Sequence, residues 1–155
     1  MSVNILVPTD FSAGSDAALA AARQLCAALG ATLHVLHVVP HSFVPGVYSE
    51  VYAPLPVAYF EGLVLDAQVR LERWVPDEDK EAFHTVLATR AGVPVDEILG
   101  RLAEEPKIDL VVMATHGRGG VARAMMGSVA DQLMRRSPCP VMTVKAPDAI
   151  VQKVA

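Results

Sequence analysis

Short apolar runs alternate with stretches of helical periodicity along this 155-residue chain, and the alternation narrows the possible folds more than any other feature. Val3 to Val7, Thr32 to Val39, His84 to Ala88, Leu110 to Ala114 and Val141 to Val144 read as strands. After the first of them, Ala18, Ala21, Ala22, Leu25, Cys26 and Leu29 recur at the spacing of one helical face, and Gly30 is placed to stop that helix. A second helix is predicted from Ala58 to Val75, with Phe60, Leu63, Val64, Ala67, Leu71 and Trp74 on one stripe and Pro76 ending it. Pro94 suits the first turn of a third helix, where its missing N–H is not needed, and Val95, Ile98, Leu99 and Leu102 face inward. A fourth helix, Val129 to Arg136, turns Val129, Ala130, Leu133 and Met134 inward. Consecutive strands separated by helices must run parallel through right-handed crossovers. The expected fold is therefore α/β, a doubly wound five-stranded parallel sheet with helices on both faces.

This length is one domain's worth of chain, enough to bury a core without metals or disulfides. Hydrophobic residues make up 52% and charged residues 19%, yet no apolar run approaches the roughly twenty residues of a membrane helix, so no membrane association is expected. Met1-Ser2-Val3-Asn4-Ile5 enters the first strand without the basic start and apolar stretch of a signal peptide, which predicts a cytoplasmic protein. Cys26 and Cys139 fall in different elements without metal or redox spacing, so buried reduced thiols are expected. With a net charge of −4 and no block of basic residues, nucleic acid is not an expected partner.

The chemistry concentrates after the fourth apolar run. Ala114-Thr115-His116-Gly117-Arg118-Gly119-Gly120 leaves the strand as a loop of permissive backbone, and Gly127-Ser128 opens the next helix. The unpaired amides of a helix start, at the positive end of its dipole, attract an anion, so this junction predicts a phosphate site. Gly117, Gly119 and Ala122 also fit a dinucleotide fingerprint, but they follow the fourth strand and no acidic residue lies about twenty positions later to hold a ribose. Gly-x4-Gly-Lys-Ser/Thr is absent, which leaves backbone amides with Arg118 or Arg123 as phosphate ligands. Ser128, with Asp131 three residues on, also fits a plain helix cap.

Gly117, nine intervening residues, Gly127 and Ser128 match the Gly-x2-Gly-x9-Gly-Ser/Thr pattern of the universal stress proteins, with Ala114 standing where the pattern has its first glycine. Val7-Pro8-Thr9-Asp10-Phe11-Ser12, Leu36-His37-Val38-Val39 and Ser137-Pro138-Cys139-Pro140-Val141 resemble the first, second and last strands of that family, so the resemblance spans nearly the whole chain. It implies a Rossmann-like sheet of order 3-2-1-4-5 in a domain from 1 to 146, with a tail from 147 to 155. It further implies a homodimer joined along the last strand, and a site for ATP or AMP with Mg2+ or Mn2+ carried by the phosphates. The residues it implies for that site are Pro8, Thr9, Asp10, Val38, Ala114, His116, Gly117, Arg118, Gly119, Gly127, Ser128 and Val129, with no catalytic residue and no protein-held metal. In a sheet of this order the crevice lies outside the carboxyl ends of strands one and four, where Asp10 and Gly117 converge.

Each candidate carries a plainer alternative. Asp10 before an alanine-rich helix is also ordinary turn chemistry, Val38 is also a good strand residue, and His116 is also suited to orienting its loop. His34 and His37 fall on opposite faces of a strand, which argues against a shared metal with His41. Pro40 to Pro56 is too proline-rich for regular structure and reads as a flap, a partner surface or a loop packed on its own domain. Pro140-Val141-Met142-Thr143-Val144 is a charge-poor edge strand that invites pairing with a second copy. Three functions follow: an ATP-binding regulatory protein acting through its dimer or partner contacts in a stress response; a slow ATP-hydrolysing enzyme; or a dimeric scaffold without nucleotide. The enzyme reading draws on Ser12-Ala13-Gly14-Ser15-Asp16, which faintly resembles the Ser-Gly-Gly-x-Asp-Ser loop of ATP pyrophosphatases. The scaffold reading gains if Ala114 narrows the pocket.

Overall fold

The computed structural model describes residues 2–40, 57–104, 106–116 and 126–145. Five strands, β1 (Asn4–Thr9), β2 (Thr32–Pro40), β3 (Val86–Gly92), β4 (Leu110–Ala114) and β5 (Val141–Val144), form one sheet in the order β3-β2-β1-β4-β5. Every neighbouring pair is parallel. The order reverses between β1 and β4, so the sheet is doubly wound as the alternation predicts. Among the described residues five helices connect the strands: α1 (Ala13–Leu29), α2 (Val57–Trp74), α3 (Asp77–Ala82), α4 (Pro94–Leu102) and α5 (Ser128–Arg136).

Alternation along the central strands builds a core on each face. Ile5, Val7, Leu33, Val35 and Val112 pack against Ala18, Ala22 and Cys26 of α1 and Leu71 of α2. Their neighbours Leu6, Leu36, Val38, Val111 and Met113 pack against Val95, Ile98 and Leu102 of α4 and Ala130 and Leu133 of α5. Burial on both faces explains why these strands are continuous apolar runs, and each fully buried aliphatic side chain contributes about 1.5–3 kcal/mol. Gly30 ends α1 at φ 62°, a left-handed cap whose N–H donates to the Cys26 carbonyl.

Two elements differ from the sequence expectation, and Leu29 of α1 and Met134 of α5, expected to face inward, are exposed because each lies in the last turn of its helix. The chain does not pass directly from Pro76 into a strand, because Asp77–Ala82 forms the short helix α3, with Asp77, Glu78 and Asp79 in its first turn beside the positive dipole end. The third strand also begins two residues later and ends four later than expected, at Val86–Gly92. His84 has φ 47°, and Thr85 donates from its N–H to the Lys80 carbonyl and from its hydroxyl to the Asp79 carbonyl. Both residues thereby close α3 and are unavailable to the ladder, which continues to the Pro40–Gly92 pair.

Both cysteines are free thiols. Cys26 is buried, and burial, reinforced by the Asp79 carboxylate, pushes its thiol up to about 11. Cys139, expected to be buried, is only half-buried, in the turn before β5 where Ser137 Oγ donates to its carbonyl. Among the described residues no helix is long and apolar enough to cross a membrane. The expected flap, from 41 onward, the loop 117–125 and the tail lie outside the described residues.

Candidate functional site

The carboxyl ends of β1, β2 and β4 open onto a cleft of about 830 Å3, walled by α2 on one side and by the start of α5 on the other. Nine of the expected positions line it: Pro8, Thr9 and Asp10 after β1, Val38 on β2, Ala114 and His116 after β4, and Gly127, Ser128 and Val129 at α5. Gly117, Arg118 and Gly119 lie outside the described residues. His41, Ala122 and Arg123 do as well. Ala114 lines the cleft without closing it. The volume falls within the roughly 300–1,000 Å3 of small-molecule sites.

At the α5 side, Gly127 is the N-cap, with φ −59° and ψ 146°, and no side chain caps the helix. Ser128 is therefore the first helical residue and not the cap that its position beside Asp131 suggested; Asp131 pairs instead with Arg135 at 3.2 Å. The Gly127 amide is not open to a ligand either, because it donates to the Thr115 carbonyl at 2.7 Å. That bond ties the helix start to the end of β4. At this terminus the amides of Ser128, Val129 and Ala130 have no carbonyl four residues earlier within the helix. By contrast, the start of α1 is closed, since Ser12 Oγ accepts from the Ser15 amide at 3.3 Å.

His116 follows the end of β4 and lines the same cleft. Its Nδ1 hydrogen-bonds Thr115 Oγ1 at 2.9 Å, and its Nε2 is buried with no partner. Buried polar atoms are nearly always satisfied, so this nitrogen stands out in a residue that lines the cleft. Close packing below fixes its backbone: a Cβ added to Gly14 would lie 2.7 Å from the His116 carbonyl oxygen and 2.8 Å from the Ala114 methyl. Only glycine lets the first turn of α1 approach β4 this closely. This packing role accounts for Gly14 without the pyrophosphatase-like loop.

On the β1 side, Asp10 Oδ1 accepts from the Ser12 amide at 3.0 Å and from the Ser15 hydroxyl at 2.8 Å. The helix-entry chemistry expected of Asp10 is thus present, and it orients a carboxylate that also lines the cleft. Sequence reasoning did not reach the aromatic floor beside it. Phe11 adopts a left-handed backbone at φ 63°, with its ring 4.4 Å from that of His37 and edge-on to Trp74 at 5.8 Å. The Arg70 guanidinium lies 4.2 Å over the Phe11 ring. The apolar stripe of α2 gave no signal for this contact, because Arg70, at the edge of the stripe beside Leu63 and Ala67, reads from sequence as an ordinary solvated charge.

His34 and His37 point to opposite faces, as expected. His37 Nδ1–H donates to the Thr9 carbonyl at 2.8 Å beside the cleft. His34 lies toward the amino-terminal end of the sheet, where its Nδ1 accepts from buried Arg101 at 3.2 Å and its Nε2–H donates to Asn4 Oδ1 at 3.1 Å. Burial, and secondarily the Arg101 charge, lower its pKa to about 4. Among the described residues no three His, Cys, Asp or Glu side chains gather as a metal cluster.

The profile of the Universal stress protein family matches residues 1–145. A universal stress protein of Methanocaldococcus jannaschii is 32% identical over 146 residues, covering 92% of this chain and 82% of the relative. The universal stress protein UspA from Lactobacillus plantarum shares the fold with a TM-score of 0.70 at 23% identity, covering 92% of this chain and 97% of that one. A universal stress protein solved in complex with cAMP superposes with a TM-score of 0.54 at 28% identity, covering 94% and 98% of the two chains.

Proposed function

Since the chain belongs to the universal stress protein family, we propose that it is a regulatory protein that binds ATP or AMP in the cleft and signals its occupancy through dimer or partner contacts. The observation that carries this reading is the convergence of an uncapped helix start with the orphaned Nε2 of His116 on one cleft. Three backbone amides, a helix dipole and one imidazole nitrogen suit a phosphate group. The cAMP bound by one structural neighbour supports an adenine nucleotide as the class of ligand.

In this reading Ser128, Val129 and His116 hold phosphate oxygens, with Gly117, Arg118 and Gly119 completing the loop around them. Pro8, Thr9, Asp10 and Val38 face the nucleoside, and Ala114 forms the floor between. A Mg2+ or Mn2+ ion arrives with the phosphates, coordinated mainly by their oxygens and by water, as suits a cleft that gathers no ligand cluster of its own among the described residues. The β5 edge supports the dimer, since among the described residues it pairs only with β4 and Met142 on it is 41% exposed.

Heating the purified protein and identifying the released nucleotide by chromatography tests the proposal. Released ATP supports a regulatory binder, and released ADP or AMP after loading with ATP assigns hydrolysis to the cleft. A protein that releases nothing and takes up no ATP in calorimetry contradicts the nucleotide reading.

A further inference from the structure

The α2 wall carries two charged side chains to which the phosphate and nucleoside assignments give no task. Asp66 and Arg70 are one helical turn apart, and both line the cleft across from α5. An acid four residues before a base commonly pairs with it. Here, among the described residues, neither takes part in an ion pair. Arg70 instead lays its guanidinium on Phe11. The platform beneath is anchored on several sides: Phe11 donates its amide to Thr9 Oγ1 at 3.0 Å, its ring touches His37 and Trp74, and Trp74 donates from Nε1 to Asp16 Oδ1 at 2.9 Å. A planar, weakly hydrated cation is thereby held over an aromatic ring on the side of the cleft opposite the phosphate-binding amides.

Resting on the nucleotide reading above, we propose that Arg70 and Asp66 form the base-recognition wall. The guanidinium stacks on the nucleobase, and the Asp66 carboxylate accepts a hydrogen bond from an exocyclic amino group. The chemistry selects adenine, which carries a 6-amino donor, over hypoxanthine, which carries a carbonyl oxygen that a carboxylate repels. Lysine at position 70 keeps the charge but has no planar face to stack, so Arg70→Lys separates base stacking from simple attraction for anions.

The test compares ATP, ITP, adenosine and inorganic tripolyphosphate by calorimetry on the wild-type protein, Arg70→Lys and Asp66→Asn. Both side chains are exposed, so the variants retain the core, and unchanged thermal midpoints check this. Arg70→Lys is expected to weaken ATP and adenosine about tenfold while leaving tripolyphosphate unchanged. Asp66→Asn, whose amide donates as well as accepts, is expected to erase a preference for ATP over ITP of about tenfold. Equal weakening of ATP and tripolyphosphate in Arg70→Lys, or an ATP-to-ITP ratio unmoved by Asp66→Asn, overturns the base wall while leaving phosphate binding at α5 intact. A wild-type protein that binds neither ATP nor tripolyphosphate overturns the nucleotide reading itself, and the base wall with it.

Discussion

Replacing Gly14 with alanine adds one methyl group at the tightest helix-to-strand approach beneath the cleft. The new Cβ would lie 2.7 Å from the His116 carbonyl oxygen and 2.8 Å from the Ala114 methyl, so one side must retreat by roughly 0.7 Å to reach ordinary van der Waals contact. Neither neighbour is the end of a flexible chain: one is backbone and the other a methyl on a strand. Overpacking of this kind costs about 1–3 kcal/mol, against at most about 1 kcal/mol gained from the helix propensity of alanine. The expected net loss is about 1–2 kcal/mol. Gly62→Ala is the control, because no atom lies within 4 Å of a Cβ there and Gly62 is an exposed position inside α2. The same methyl is expected to stabilise that position by about 0.5–1 kcal/mol. Urea unfolding of both variants reads the opposite signs. Since the displaced backbone carries His116, Gly14→Ala is also expected to weaken ATP about tenfold, the equivalent of one hydrogen bond to a charged oxygen. A Gly14→Ala protein as stable as wild type, with unchanged ATP affinity, would refute the close-packing argument.

Three further outcomes follow from the geometry. Between pH 6.5, the ordinary histidine value, and about 4, the unfolded chain protonates His34 while the native one does not, so stability is full above that window and falls as pH drops through it. The loss is up to about 3 kcal/mol, and His34→Gln should flatten that part of a pH series of urea melts. Arg23 Nε holds Asp79 Oδ1 at 2.9 Å while Asp79 Oδ2 is buried without a partner, so Arg23→Leu should destabilise the fold by about 3 kcal/mol in the same assay. Met142→Asp on the exposed β5 edge should convert a dimer to monomers in sedimentation; a wild-type monomer at micromolar concentration would remove that edge from the account.

The features legible in the sequence were those with a period or a punctuation mark. Largely apolar runs located β1, β2 and β4, because strands covered on both faces carry little alternation to misread, and β5 was found from its short charge-poor run although it is a partly exposed edge. Gly30 and Pro94 marked helix ends where their backbone properties are decisive. The third strand was harder to place. It runs on past Ala88 through Arg90, whose side chain meets Glu104, just beyond α4, at 2.6 Å, so a charge sits comfortably inside a strand. Helix α3 has no apolar stripe, and its signal was the acidic first turn after Pro76. At the site, glycine spacing pointed to α5 but not to which amides remain open, since the Gly127–Thr115 bond is a tertiary contact. The left-handed backbone of Phe11 and the approach of Arg70 also depend on where α2 comes to rest, and no local pattern encodes that.

The central claim is that a nucleotide's phosphates bind the open start of α5 beside His116. Titrating ATP into isotope-labelled protein and following backbone amide and imidazole resonances by NMR tests it directly. The account predicts the largest shifts at the Ser128, Val129 and Ala130 amides and at His116 Nε2, with inorganic tripolyphosphate moving the same signals. Saturable ATP binding that leaves these four positions unmoved, while shifting residues away from the cleft, would contradict it.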